Sequence, residues 1–200
     1  MSTQSDTVGL PVAAPPSVKV TDTGGNPVAG VSVTFTITGG GGSIVPISTS
    51  PVVTDAGGIA TLTSWTLGTA TGTNTVTATA AGLAGSPVLF TATGTAGPAT
   101  KLVIAQQPST TASTGVPFLQ QPAIQLQDAF SNPVPQSGTI VTAAIFSGTG
   151  TLGGTSLTAS TDANGLASFA DLSITGSGDH TLQFTSGGLT AATSTTITLP

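Results

Sequence analysis

The 200-residue chain has no cysteine, tyrosine, arginine or glutamate, a single histidine and only two lysines. Each scarcity removes something. A nucleic-acid binder neutralises phosphates with Lys and Arg, and Lys19 and Lys101, far apart and set against seven aspartates, leave a net charge of −5 with no basic footprint. Nucleic acid is therefore excluded as a partner. The lack of Cys leaves the redox compartment open, because a secreted domain either uses disulfides or buries enough apolar area without them. No stretch reaches the roughly 20 apolar residues of a membrane span. The opening Met1, Ser2, Thr3, Gln4, Ser5 and Asp6 lacks the basic and apolar regions of a signal peptide, so an exported protein would have lost its signal or would carry it in a longer parent chain. A surface this poor in charge must be solubilised by Thr, Ser, Asn and Gln, which points to an extracellular protein.

What is present is the vocabulary of strands and turns. Gly and Pro number 27 and 14, yet apolar residues make up 38% of the chain and recur periodically, which favours an ordered all-β protein over disorder. The chain also repeats itself after about 106 residues. Asp22, Asn26, Pro27 and Val28 return as Asp128, Asn132, Pro133 and Val134. Thr54, Asp55, Gly58 and Ala60 return as Thr161, Asp162, Gly165 and Ala167. The period predicts two tandem domains, residues 1–97 and 98–200, each able to bury a modest core.

Alternation of apolar and polar residues predicts the strands. It is clearest over residues 31–38, where Val31, Val33, Phe35 and Ile37 share one face and Ser32, Thr34, Thr36 and Thr38 the other. Further strands are expected at 17–23, in a short piece ending at Val53, and at 59–67, 74–80 and 87–94. In the second copy they fall at 101–105, 123–128, 139–147, 156–160, 166–175, 180–186 and 190–199. Trp65, Leu67, Val76, Ala78, Val88 and Phe90 should point inward. Gly39 to Gly42 and Gly148 to Gly154 read as loops, and Asp55 to Gly58 as a hairpin turn whose glycines accept positive φ. The strand at 101–105 has no counterpart in the first copy. Domain 1 is expected to lack that first strand, or to make it poorly from residues 2–8, leaving an unpaired edge that invites another chain. The segment 95–100 is too short for a flexible spacer, so the domains should stand end to end with limited bending.

The order Val18, Val20, Asp22, Gly25, Asn26, Pro27, Val28, Gly30, Val31, Val33 and Phe35, then Thr54, Asp55, Gly58, Ala60 and Thr61, then Trp65, Leu67, Gly68, Gly72, Asn74, Val76 and Ala78, resembles a bacterial immunoglobulin-like domain of the invasin and intimin type. The resemblance covers nearly all of residues 9–94. The second copy keeps Asp128, Asn132, Pro133, Val134, Asp162, Gly165 and Ala167 but has Leu172 at the Trp65 position. The resemblance implies Greek-key sandwiches used in tandem arrays as spacer or adhesive modules of bacterial surface proteins, with no catalytic residues to carry over.

The candidate residues each have an ordinary reading. His180 is the one histidine available to a Ser-His-Asp arrangement, but its neighbour Asp179 should face the opposite side of the strand, and His180 is expected at a surface or strand end. Asp22, Asp55, Asp128 and Asp162 sit at turns, where a carboxylate accepts backbone N–H groups two residues on. Calcium needs about six to eight oxygens with converging carboxylates, and no two aspartates are spaced one residue apart. Lys19 and Lys101 lie on expected strands, yet a lysine crosslink normally needs a buried carboxylic acid, commonly Glu, as proton shuttle. The Thr runs around Thr61, Thr73 to Thr79 and Thr91 to Thr93 read as solvated strand faces, and Trp65 as core. No catalytic, cofactor-binding or metal residue is assigned, and ligand-binding residues stay unassigned.

The expected function is that of a non-enzymatic structural or adhesive module of a bacterial cell-surface or secreted protein, a stiff spacer whose partners are neighbouring immunoglobulin-like domains. Two alternatives stand beside it. One is a self-assembling extracellular filament subunit that uses the incomplete edge of domain 1. The other is a carbohydrate- or ice-binding module carried by a Thr-rich face or by the glycine loops.

Overall fold

The computed structural model describes residues 4–200, and no helix occurs among them. Internal contacts divide the chain into two compact units that part between Ala96 and Gly97.

Unit 1 contains β1 (Gln4–Thr7), β2 (Ser17–Lys19), β3 (Ser32–Gly39), β4 (Ser43–Val45), β5 (Val52–Val53), β6 (Ile59–Thr61), β7 (Ser64–Thr66), β8 (Gly72–Thr79) and β9 (Val88–Thr95). Its main sheet runs β1-β9-β8-β3-β5, and the pairs β2-β6 and β4-β7 form the facing layer. The alternation in β3 acts as expected: Val33 and Phe35 are buried, while Val31 and Ile37 pack half-buried against the same cluster. From the other layer Ile44, Ala60, Leu62, Trp65 and Leu67 complete this core. A fully buried side chain of this size contributes about 1.5–3 kcal/mol, so the core, not the charge-poor surface, holds the unit. Gly58 shows why the 55–58 turn needs glycine: its φ is +73°, and a Cβ there would lie 2.5 Å from the carbonyl oxygen of Val20.

Unit 2 contains β10 (Lys101–Gln106), β11 (Ala123–Gln127), β12 (Ile140–Ser147), β13 (Gly150–Gly153), β14 (Thr158–Ser160), β15 (Leu166–Ser168), β16 (Ser173–Gly176), β17 (Gly178–Thr185), β18 (Ala192–Thr193) and β19 (Ile197–Leu199). Strands pair as β10-β11-β15 in one layer and β14-β12-β17 in the other, with β18 and β19 both on β17, and β13 pairs with β16. Ile124, Leu126, Leu172, Ile174, Leu182, Phe184 and Ile197 fill the core. The rings of Phe169 and Phe184 meet there with centroids 5.5 Å apart, a tilted contact of the kind aromatic pairs prefer.

Two expectations need correction. The opening residues do form a strand, β1, but it pairs parallel with β9, Gln4 opposite Ala92 and Thr7 opposite Thr95. It is not the counterpart of β10. Of the expected 2–8 span, Ser2 and Thr3 lie outside the described residues. In unit 2 the parallel contact between Thr111 and Thr198 occupies the place of β1, while β10 pairs antiparallel with β11. Strand β2, which matches β11, has β6 as its strand partner among the described residues. The second correction concerns residues 148–154: Gly150–Gly153 is a strand, β13, because β16 lies alongside it from Ser173 to Gly176.

Candidate functional site

The repeated aspartates are turn-formers. Asp22 Oδ1 accepts the backbone N–H of Gly24 and of Asn26, each at 2.9 Å, and Asn26 Nδ2 donates to both carboxylate oxygens. Asp128 repeats the pattern with the N–H of Phe130 at 2.9 Å and Asn132 at 2.8 Å, and its Oδ2 also receives the N–H of Gly97 at 3.1 Å. Asp55 and Asp162 close the other turn by accepting from Gly57 and Ile59, and from Asn164 and Leu166. Hydrogen bonds to the ionised form favour it. The Asn26 side chain thus holds Asp22, and the Leu166 N–H holds Asp162, below the usual carboxylate range. Asp171 lies below it as well, through the side-chain hydroxyl and backbone N–H of Thr155. Burial raises Asp128, but the bonds from Asn132, Gly97 and Phe130 outweigh it and the net direction is also down. Among the described residues no three His, Cys, Asp or Glu side chains cluster to hold a metal.

His180 is not at the surface. It is fully buried in β17, with Nδ1 3.0 Å from the Gly178 carbonyl and Nε2 3.2 Å from the Thr149 carbonyl. The ring packs where glycine leaves room, since a Cβ on Gly148 would lie 2.5 Å from His180 Cδ2. Unit 1 has Asn74 at this position, likewise fully buried: its Oδ1 accepts from Gly68 N–H at 3.0 Å, its Nδ2 donates to the Gly72 carbonyl at 3.2 Å, and Gly40 takes the place of Gly148. One position thus engages the carbonyl two residues before it in both units, through an amide in one and an imidazole in the other, while the second partner differs: the Gly68 N–H in unit 1 and the Thr149 carbonyl in unit 2. Asp179 faces away, exposed, and accepts from Thr198 Oγ1 at 2.7 Å. Spacing alone gives no sign of the bracket, although Asn74 and His180 stand about 106 residues apart, the period of the repeat.

The remaining candidates separate. Lys19 is exposed, and Lys101 Nζ donates to Ser131 Oγ at 2.7 Å. Trp65 is buried without exposure, and its Nε1 has no hydrogen-bond partner among the described residues; no face is open for a sugar. Two of the Thr runs, Thr73 to Thr79 and Thr91 to Thr93, come together on the outer face of the main sheet of unit 1, where Thr73 opposes Thr93 and Thr75 opposes Thr91, beside the pair Thr36 and Thr77; Thr61 lies in β6, in the other layer. Thr38 and Thr75 share a hydrogen bond of 2.9 Å, an ordinary cross-strand pair, and the exposed Leu89 opposite Thr77 interrupts the array. Buried Thr54 and Thr161 went unassigned: Thr54 Oγ1 accepts from Val31 N–H and donates to the Val28 carbonyl, and Thr161 does the same with Thr139 and Gln136.

A groove of about 630 Å³ lies in unit 1, between β2 and the segment joining β8 to β9, lined by Val18, Val20, Val33, Ala80, Leu83 and Val88 among others. It runs along the edge of β2 that β6 leaves free.

No protein-family model matches the chain, and no curated protein matches it. Solved structures do. The D00-D0 domain of intimin aligns over 98% of this chain and 96% of its own, at 14% identity and a TM-score of 0.50. FdeC, described as an adhesin of Escherichia coli, aligns over 98% of this chain and 62% of its own, at 16% identity and a TM-score of 0.47. A family 2 glycosyl hydrolase of Bacteroides cellulosilyticus aligns over 84% of this chain but 21% of its own, at 17% identity and a TM-score of 0.44. The fold of the chain is an all-β, immunoglobulin-like sandwich like that of the D00-D0 domain of intimin.

Proposed function

We propose that the chain is a non-enzymatic structural module of a bacterial cell-surface or secreted protein, two separately folded sandwiches that act as a stiff spacer in a tandem immunoglobulin-like array. One observation carries this reading: the polar side chains that the two units share are spent on their own backbone. Asp22 and Asp128, Asp55 and Asp162, Thr54 and Thr161, and Asn74 and His180 all bracket turns or strands. Repeating a unit whose polar groups serve shape is how reach is built from modules. Between Thr95 at the end of β9 and Lys101 at the start of β10 the chain has only Ala96 to Thr100, little length for articulation.

Glycoside hydrolysis is the contrasting reading, and it asks for a carboxylic acid whose pKa is raised to protonate a leaving group. The aspartates with displaced values, Asp22, Asp128, Asp162 and Asp171, all move the other way. Small-angle scattering of the purified chain tests the spacer: one narrow distribution of end-to-end distances, unchanged across ionic strength, is expected, and a broad distribution overturns it. Turnover on an aryl-glycoside panel would overturn the non-enzymatic part.

A further inference from the structure

The groove of unit 1 coincides with an edge of β2 that has no strand partner among the described residues, and unit 2 displays what fills the equivalent place. There β10 lies against β11, with Leu102 opposite Leu126 and Ile104 opposite Ile124. The Leu102 N–H donates to the Thr190 carbonyl and the Thr190 N–H to the Thr100 carbonyl, each bond tying β10 to the segment that follows β17. Leu102 is 3% exposed, and beneath it Ile124 and Leu126 are both at 0%. Their counterparts Val18 and Val20 remain half-buried, and the segment after β8 stands away from β2 with Leu83 at 40% exposure. The difference in burial follows the presence or absence of the covering strand.

The backbone agrees. Val20 N–H bonds to the Gly58 carbonyl and Leu62 N–H to the Pro16 carbonyl. In an antiparallel ladder the residues between such contacts turn their polar groups the other way, so Ser17, Lys19 and Thr21 present N–H and C=O groups to the groove. In unit 2 the match to Thr21 is Gln127, whose carbonyl receives the N–H of Thr100 at 2.8 Å.

We propose that this groove is a strand-acceptor site that takes an extended peptide of the Lys101–Gln106 type, antiparallel to β2, with aliphatic side chains at alternate positions entering between Val18, Val20, Leu83 and Val88. Its backbone would pair with Lys19 and Thr21, the recognition mode in which main-chain bonds give affinity and side-chain pockets give specificity. The site does not depend on the spacer reading: a rigid spacer with an inert groove and a flexible chain with an active one are separate outcomes.

The probe is a fluorescent synthetic peptide with the sequence of residues 100–106, titrated into the full chain. Saturable one-to-one binding is expected, together with hydrogen-exchange protection of the Lys19 and Thr21 amides and unchanged protection of β11. A peptide carrying Asp at the positions of Leu102 and Ile104 should not bind. Leu83→Asp changes a side chain already open to solvent, so folding survives, and it should weaken binding by about tenfold or more by placing a charge in the apolar slot. Leu119→Asp, at a fully exposed position of unit 2, should leave binding unchanged. Three results overturn the proposal: no saturation, new protection confined to unit 2, or a chain that dimerises with the Lys19 and Thr21 amides already protected, which would make a second copy the occupant.

Discussion

Units 1 and 2 build the same sandwich around different solutions to one difficulty, how to cover the strand that carries the Asp-Asn-Pro turn. Unit 2 lays β10 over β11 and seals Ile124 and Leu126. Unit 1 leaves β2 paired with β6 and places its bulk elsewhere, in Trp65, where unit 2 has Leu172. The indole fills the centre of the first core at the expense of an N–H with no partner among the described residues, and a buried donor left unpaired costs about 1–3 kcal/mol. A sandwich can therefore omit an outer strand if the layer beneath is packed from another side.

The sharpest way to break the comparison is to remove the filler. Trp65→Ala should destabilise unit 1 by about 3–5 kcal/mol, read as a loss of hydrogen-exchange protection across β3 and β8 while β12 and β17 keep theirs. Equal loss in both would mean the units do not fold separately. Next comes Leu102→Ala, expected to cost unit 2 about 2–4 kcal/mol and to raise the exchange of β11 amides toward the behaviour of β2 in denaturant titrations. If β11 stays protected, β10 is not the cover. His180→Ala strips the bracket of unit 2 and should cost about 1–3 kcal/mol through unpaired carbonyls and lost packing, with His180→Asn recovering part of it because Asn74 does this work in unit 1. A thermal scan in which Asn is no better than Ala would separate the two brackets.

The smallest effect is that of pH. Asp22, Asp128, Asp162 and Asp171 have folded pKa values below the ordinary one, so the folded chain stays ionised where the unfolded chain takes up protons. Their contribution is complete above the unfolded value of about 3.9 and is lost as pH falls through the folded values. Three of the four belong to unit 2, so acid titration followed by exchange should loosen unit 2 more than unit 1. Asp128→Asn should shrink that difference.

Strands whose faces differ were legible from order alone: Val33 and Phe35 in β3, and Val76 and Ala78 in β8, announce their burial by alternation. The aspartate turns were equally legible, since the backbone N–H groups that donate to them lie two to four residues on. What could not be read was set by partners distant in sequence. Polar β1 is a strand because β9 offers it an edge, glycine-rich β13 is one because β16 does, and His180 is buried because the Thr149 carbonyl and Gly148 come to meet it. The absence of a counterpart to residues 101–105 in the first copy points to an edge in domain 1 without naming the strand that carries it. The groove behind it required the position of the segment after β8.

The parallel pairing of β1 with β9 joins the first and last strands of unit 1 among the described residues, β1 beginning at Gln4 and β9 ending at Thr95. Tension applied through those two ends pulls the strands past each other along their length, so the whole row of bonds between them, Val8 N–H to the Thr95 carbonyl included, is loaded at once. An antiparallel pair pulled from adjacent ends would unzip one bond at a time at low force; this one must shear.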